Sequence, residues 1–242
     1  MKKIIYIIRQ TAYTVFSFCY FLGLAVEMTL IGFFLITIGG ATDKHKRKYH
    51  QILQRRAKFV VNHIPGTTFS YNNTINENFE KPAVIVCNHQ SHIDLMAIMM
   101  LTPNLIILTK SWVWHNPFYG LVIRYADYFP IMETDQMTEN IEKMVKKGYS
   151  VMIFPEGTRS EDCRILRFHR GAFMLAEKLK LDIIPVFISG FGKALPKKSF
   201  HLYPACLSVY VLPRMKRADI QDDYRIVAKK LRMKYIELNA LK

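Results

Sequence analysis

Hydrophobic and polar positions divide the chain into three regimes. Residues 11–38 are almost continuously apolar, with Glu27 the only formal charge. Residues 44–64 change character: Tyr49, Ile52, Leu53, Ala57, Val60 and Ile64 recur at helical spacing, while Lys46, Arg47, Arg55, Arg56 and Lys58 fill much of the remainder. That pattern predicts an amphipathic helix. Residues 65–82 are polar and Asn-rich and predict a loop or short hairpin. From residue 81 onward, short apolar runs at 83–87, 105–109, 150–154, 183–188 and 207–212 predict strands. They alternate with helical periodicity at 93–101, 138–147, 171–180 and 220–241. Such alternation predicts an α/β domain with a mostly parallel central sheet flanked by helices.

The apolar segment is too long for a cleaved signal sequence, whose apolar part runs to about 15 residues, so a retained membrane segment is expected. As one helix it would extend about 42 Å, beyond a hydrocarbon core of about 30 Å. It would also hold Glu27 near its middle, where a carboxylate is costly. Two shorter helices, 14–26 and 28–38, would avoid both problems as a hairpin dipping into one leaflet. Basic residues flank both ends, Lys2, Lys3 and Arg9 before and Lys44, Lys46, Arg47 and Lys48 after. Positive flanks favour the cytoplasmic side, so the hairpin is expected, with a tilted single span as the alternative. Residues 1–43 thus form a membrane-anchoring segment and 44–242 the main domain. Within it, residues 44–64 are expected to lie on anionic headgroups, the ordinary alternative being a solvated face.

Charge and composition narrow the classes. The 34 basic and 19 acidic residues leave a net charge of +15, which implies a polyanionic partner. Beside the apolar segment, acidic lipid fits better than nucleic acid, for which no recognised fold motif is present. Half of the residues are hydrophobic and mean hydropathy is +0.06, excluding disordered and disulfide-scaffold classes. Cys19, Cys87, Cys163 and Cys206 are too dispersed for a zinc cluster or dithiol pair, and are expected as small buried hydrophobes in a reducing compartment. No metal is expected.

Two stretches carry candidate chemistry. Asn88-His89-Gln90-Ser91-His92-Ile93-Asp94 follows an apolar strand and opens a helix, a junction where parallel sheets bind ligands. His89 and Asp94 across that bend could form a general base and its orienter. Equally, Ser91 and Asp94 read as a capping box, with His89 an ordinary loop residue. His92 is a rival base that enters the helix. Phe154-Pro155-Glu156-Gly157-Thr158-Arg159-Ser160 also directly follows an apolar strand. Gly157 permits close backbone approach, and Thr158 and Arg159 are oxyanion ligands, although a plain turn with a surface arginine has the same letters. Downstream, Arg164, Arg167, His169 and Arg170 supply further anion-binding charge or a solvated loop. A G-x-S-x-G elbow, a phosphate-binding NTPase loop, an H-E-x-x-H motif and a dinucleotide fingerprint are all missing.

Taken together these residues resemble the glycerolipid acyltransferase superfamily, typified by the 1-acylglycerol-3-phosphate acyltransferases. Its first block is matched by Asn88-His89 with Asp94, its third by Phe154 to Ser160, and its fourth resembles Ile183-Ile184-Pro185-Val186. Lys110, with Trp112 and Pro117-Phe118-Tyr119-Gly120, looks like a further family stretch. The resemblance implies transfer of a fatty acyl group from an acyl-carrier-protein or coenzyme A thioester to a lysolipid hydroxyl, without a cofactor. His89 would remove the acceptor proton, Asp94 would set its tautomer, and backbone N–H groups near Gly157 would stabilise the oxyanion. Glu156, Gly157, Thr158, Arg159, Lys110 and Arg170 would hold the substrate. The implied location is the cytoplasmic face of the cell inner membrane. The second block, in which the family carries a phosphate-binding arginine, aligns with Ala126 to Met132, with Glu133 and Thr134 next, and the arginine is missing. The implied acceptor is 1-acylglycerol-3-phosphate; a phosphate-free acceptor, or a non-catalytic membrane-binding role, is the alternative.

Overall fold

A computed structural model of the chain describes residues 2–131, 135–219 and 223–241. Helix α1 (Lys2–Gly32) runs without a break into a π-helical stretch, Phe33–Ile38, and a bend leads to α2 (Asp43–Asn62). Then come β1 (Thr67–Asn72), β2 (Ala83–Cys87), α3 (Asp94–Met99), β3 (Leu105–Thr109) and two short helices, α4 (Ser111–Trp114) and α5 (Gly120–Tyr125). The two-residue β4 (Phe129–Pro130), α6 (Asp135–Lys146), β5 (Ser150–Ile153) and α7 (Gly171–Lys178) follow. The chain closes through β6 (Asp182–Ser189), α8 (Phe191–Ala194), β7 (Ala205–Val211) and α9 (Tyr224–Ala240).

Seven strands form one sheet in the order β1-β7-β6-β2-β5-β3-β4. Strands β6, β2, β5, β3 and β4 run parallel, and β7 lies antiparallel to β6. The expected α/β class and mostly parallel sheet are therefore what the chain adopts. Every residue of β2, β3, β5 and β6 is buried, because helices cover both sheet faces. The expected loop at residues 65–82 instead contributes β1, which pairs in parallel with β7 from Thr67–Ala205 to Asn72–Tyr210. Its Thr, Ser and Asn residues outnumber Phe69 and Tyr71, so it gives no apolar run.

The N-terminal hairpin is not what forms. α1 passes Glu27 unbroken, and the acid pairs with Arg56 of α2, a counterion that removes the reason to break there. Gly32 permits the crossing of α1 on α5, since a Cβ there would collide with the Tyr125 ring. α2 forms where an amphipathic helix is expected. Its apolar face, with Tyr49, Leu53, Ala57, Val60 and Val61, is buried in the protein and bound to α5 through Tyr49 Oη to Val122 O (3.2 Å). Phe59 of the same helix stays exposed. Among the cysteines, all free, only Cys87 is buried; Cys163 is half-buried and Cys19 and Cys206 are exposed.

The layers matter for the site. From β2 the chain steps across β5 to β3, whereas from β5 it steps back across β2 to β6. Right-handed crossovers then put α3 and α7 on opposite faces. α1, α2, α3 and α5 pack together on one face, and α7 and α9 on the other, resting on β2 and β6. The loops leaving β2 and β5 diverge at adjacent strand ends, which opens a crevice there.

Candidate active site

His89 and Asp94 meet at the carboxyl end of β2. His89 Nδ1 lies 2.9 Å from Asp94 Oδ2, and that same oxygen accepts from the amides of Gln90 (2.6 Å) and Ser91 (2.7 Å). Asp94 is fully buried and its Oδ1 has no partner. The carboxylate fixes Nδ1 as the protonated nitrogen, leaving Nε2 without a partner among the described residues. Both readings of the bend are realised at one atom, since Oδ2 orients the imidazole and also closes the turn before α3. Ser91 does not cap; its hydroxyl donates to Leu195 O at 2.8 Å. Asn88 clips the strand ends together, donating to Ile188 O (2.9 Å) and accepting from Ile188 N (2.8 Å).

The turn after β5 lies directly beside this pair, as β2 and β5 are neighbours in the sheet. Phe154 stacks on the His89 ring, with centroids 3.9 Å apart and planes inclined by 13°. Ser160 N donates to His89 O at 3.0 Å. Glu156 accepts from His89 N through Oε1 and from Leu166 N through Oε2, both at 3.0 Å. Burial pushes the Glu156 pKa up to about 7, against the two amide bonds that lower it. Glu156 is only 3% exposed, and both oxygens tie the two loops to one another.

Gly157 adopts φ +64°, which a side chain would strain, and its N–H donates to Phe154 O at 3.1 Å. Of the amides near Gly157, its own is therefore already engaged within the turn. The amides of Thr158 and Arg159 have no protein partner among the described residues. Arg159 is half-buried near Asp94 and Tyr119; burial lowers its pKa, and those two groups counteract it. The Tyr119 position brings the 117–120 stretch to the same mouth. His92 also reaches it. Desolvation first, then the charges of Arg159 and His89, push its pKa down to about 4 despite an exposed edge, which makes it a poor base at neutral pH. Lys110 is exposed at the end of β3, on the same sheet edge. Arg170 lines a cavity against α9 whose walls include neither His89 nor Arg159. Of the second-block stretch, Asp127 pairs with Lys46 at 2.7 Å, while Met132, Glu133 and Thr134 lie outside the described residues.

The Acyltransferase family matches residues 66–189, more than half of the chain and inclusive of both loops. The chain belongs to that family. A chloroplastic 1-acyl-sn-glycerol-3-phosphate acyltransferase of Arabidopsis thaliana is 30% identical over 165 residues, covering 65% of this chain and 46% of its own. A 1-acyl-sn-glycerol-3-phosphate acyltransferase of Chlamydomonas reinhardtii is 29% identical over 229 residues, covering 88% and 65%. The chain thus spans roughly half to two thirds of the length of these curated relatives. A crystal structure of the 1-acyl-sn-glycerophosphate acyltransferase of Thermotoga maritima superposes with TM-score 0.78 over 98% of each chain at 20% identity, a likeness of fold. In this acyltransferase-family chain the sequence reading missed the Phe154 stack and the tying role of Glu156. Neither residue's contacts are local, and only their place in a motif marked them.

Proposed function

We propose that the chain is a membrane-associated O-acyltransferase, moving a fatty acyl group from an acyl thioester to the hydroxyl of a lysolipid, with 1-acylglycerol-3-phosphate as acceptor. The observation that carries this is the His89–Asp94 pair, with Nε2 free beside the 154–159 turn. Nε2 takes the acceptor's hydroxyl proton as its oxygen attacks the thioester carbonyl carbon. The tetrahedral oxyanion faces the unpartnered Thr158 and Arg159 amides. It collapses with rupture of the C–S bond, and the imidazolium returns the proton to the departing thiolate. Buried Asp94, with one oxygen unpartnered, stabilises the positive charge on His89 between those steps. The Arg159 guanidinium, helped by Lys110, holds the acceptor's phosphate.

Membrane association is supported by α1 and its π-helical continuation, in which residues Ile4–Ile38 are long and apolar enough to cross a bilayer and mostly unburied. The lipid acceptor requires such a position. We place the catalytic layer on the cytoplasmic face of the cell inner membrane, where basic flanks favour it. A second reading, with a phosphate-free acceptor, is favoured by Asp127, an acid occupying part of the stretch where the family carries an arginine.

The test is an acceptor panel with one labelled acyl thioester, the product lipid identified by mass spectrometry. Lysophosphatidic acid should be acylated, and His89→Ala should abolish transfer. Arg159→Lys should raise KM for phosphate acceptors by on the order of tenfold and leave phosphate-free ones alone, as bidentate geometry is lost. An equal effect on both acceptor classes rejects the headgroup role, and full activity of His89→Ala rejects the base.

A further inference from the structure

Between the 167–170 loop and α9 lies a cavity of about 630 Å³. Arg167, His169, Arg170, Arg225, Lys229 and Arg232 line it, and no carboxylate among the described residues does. Arg167, Arg170 and Lys229 have no ion-pair partner among the described residues, so their charges converge uncompensated. These exposed side chains together present a ready set of donors to an anion. We propose that this cavity binds the phosphate-bearing nucleotide end of a coenzyme A thioester, making it the donor subsite of the reaction proposed above, on which this inference rests.

Three observations select that ligand. The wall is fixed and joined to the catalytic loops. Arg232 donates to Leu166 O (2.8 Å) and Ile165 O (3.2 Å), Leu166 N donates to Glu156, and Glu156 accepts from His89 N. His169 N donates to Pro155 O (2.7 Å), and its ring lies 3.4 Å from where a Cβ on Gly157 would be. The cavity therefore adjoins the turn that faces His89, and a flexible thioester arm can run from one to the other. Its position is the second point. α9 lies on the sheet face opposite α1, so the cavity looks toward water while the acceptor enters from the lipid side. A membrane headgroup is a poor occupant for that reason. Its shape is the third: a concavity of this volume suits a small polyphosphorylated ligand, whereas an acidic protein would meet a convex or flat patch.

The full chain in detergent micelles is titrated with coenzyme A by calorimetry, and its acyl transfer is measured against varied donor and acceptor. R225E/K229E alters two exposed side chains, and glutamate in the first turn of α9 suits the helix N-terminus. We expect coenzyme A affinity to fall, and donor KM to rise, by on the order of tenfold, with acceptor KM unmoved. Arg167→Glu on the opposite wall should act alike, and R225K/K229R should restore binding. Unchanged coenzyme A binding in both reversal variants overturns the proposal. So does a rise in acceptor KM alone, a loss confined to anionic-vesicle binding, or a loss confined to acyl-carrier-protein donors. Because calorimetry needs no turnover, coenzyme A binding without any acylated acceptor would reject the reaction and leave the subsite standing.

Discussion

At Asp94 a single carboxylate oxygen accepts from the His89 ring and from two amides, while the other is buried without a partner. Asp94→Asn keeps an acceptor for the turn but removes the charge that the imidazolium needs. Transfer should fall about a thousandfold or more in kcat with little change in thermal midpoint; a large midpoint loss with modest kcat change would reduce Asp94 to a cap. Glu156 supplies a pH signature. Its pKa rises from 4.5 to about 7 on folding, so across that window the native state holds a proton that the unfolded chain has released. Stability must therefore fall as pH rises through the window, by ~3 kcal/mol in all. Glu156→Gln lacks this titration and loses one tie between the loops. Melting both proteins at about pH 5 and about pH 8 should show the variant gaining on the parent at the higher pH. A difference that stays flat would mean that Glu156 is ionised throughout.

Elements were legible where their burial is local in origin. β2, β5 and β6 are covered on both faces and so appear as unbroken apolar runs, and the helices α6, α7 and α9 carry their own periodicity. β1 was hidden because its partner β7 lies 138 residues away and its side chains are mostly polar. The continuity of α1 was hidden likewise, since Glu27 finds its counterion on the next helix, 29 residues on. α2 showed its periodicity but not its packing partners: a buried apolar stripe and a lipid-facing one have the same spacing. At the site, the two motifs marked the two loops that the fold brings together, but their adjacency depends on β5 inserting between β2 and β3, a nonlocal pairing that no spacing encodes.

For the molecule as a whole, the proposed membrane association has two candidate sources, the +15 net charge and the apolar surface of α1. Their geometry differs. Phe16, Phe18, Leu22, Val26 and Leu30 are exposed along α1, and Trp112, Phe118 and Leu121 continue the apolar surface on α4, its following turn and α5. The cluster of Arg167, Arg170, Arg225 and Lys229 belongs to the other sheet face. Each exposed large apolar group contributes about 1.5–3 kcal/mol when buried in lipid. A basic residue near an anionic surface contributes about 1 kcal/mol, screened to a range of about 3 Å in 1 M salt. The apolar surface should dominate. The chain is accordingly expected to co-sediment with neutral phosphatidylcholine vesicles and to stay bound in about 1 M salt. Phe16→Glu with Leu22→Glu should release it, placing two charges where lipid would be and disturbing no packed core. Binding that requires anionic lipid and disappears in salt would instead make charge the anchor, and α1 would then need a protein surface to cover it.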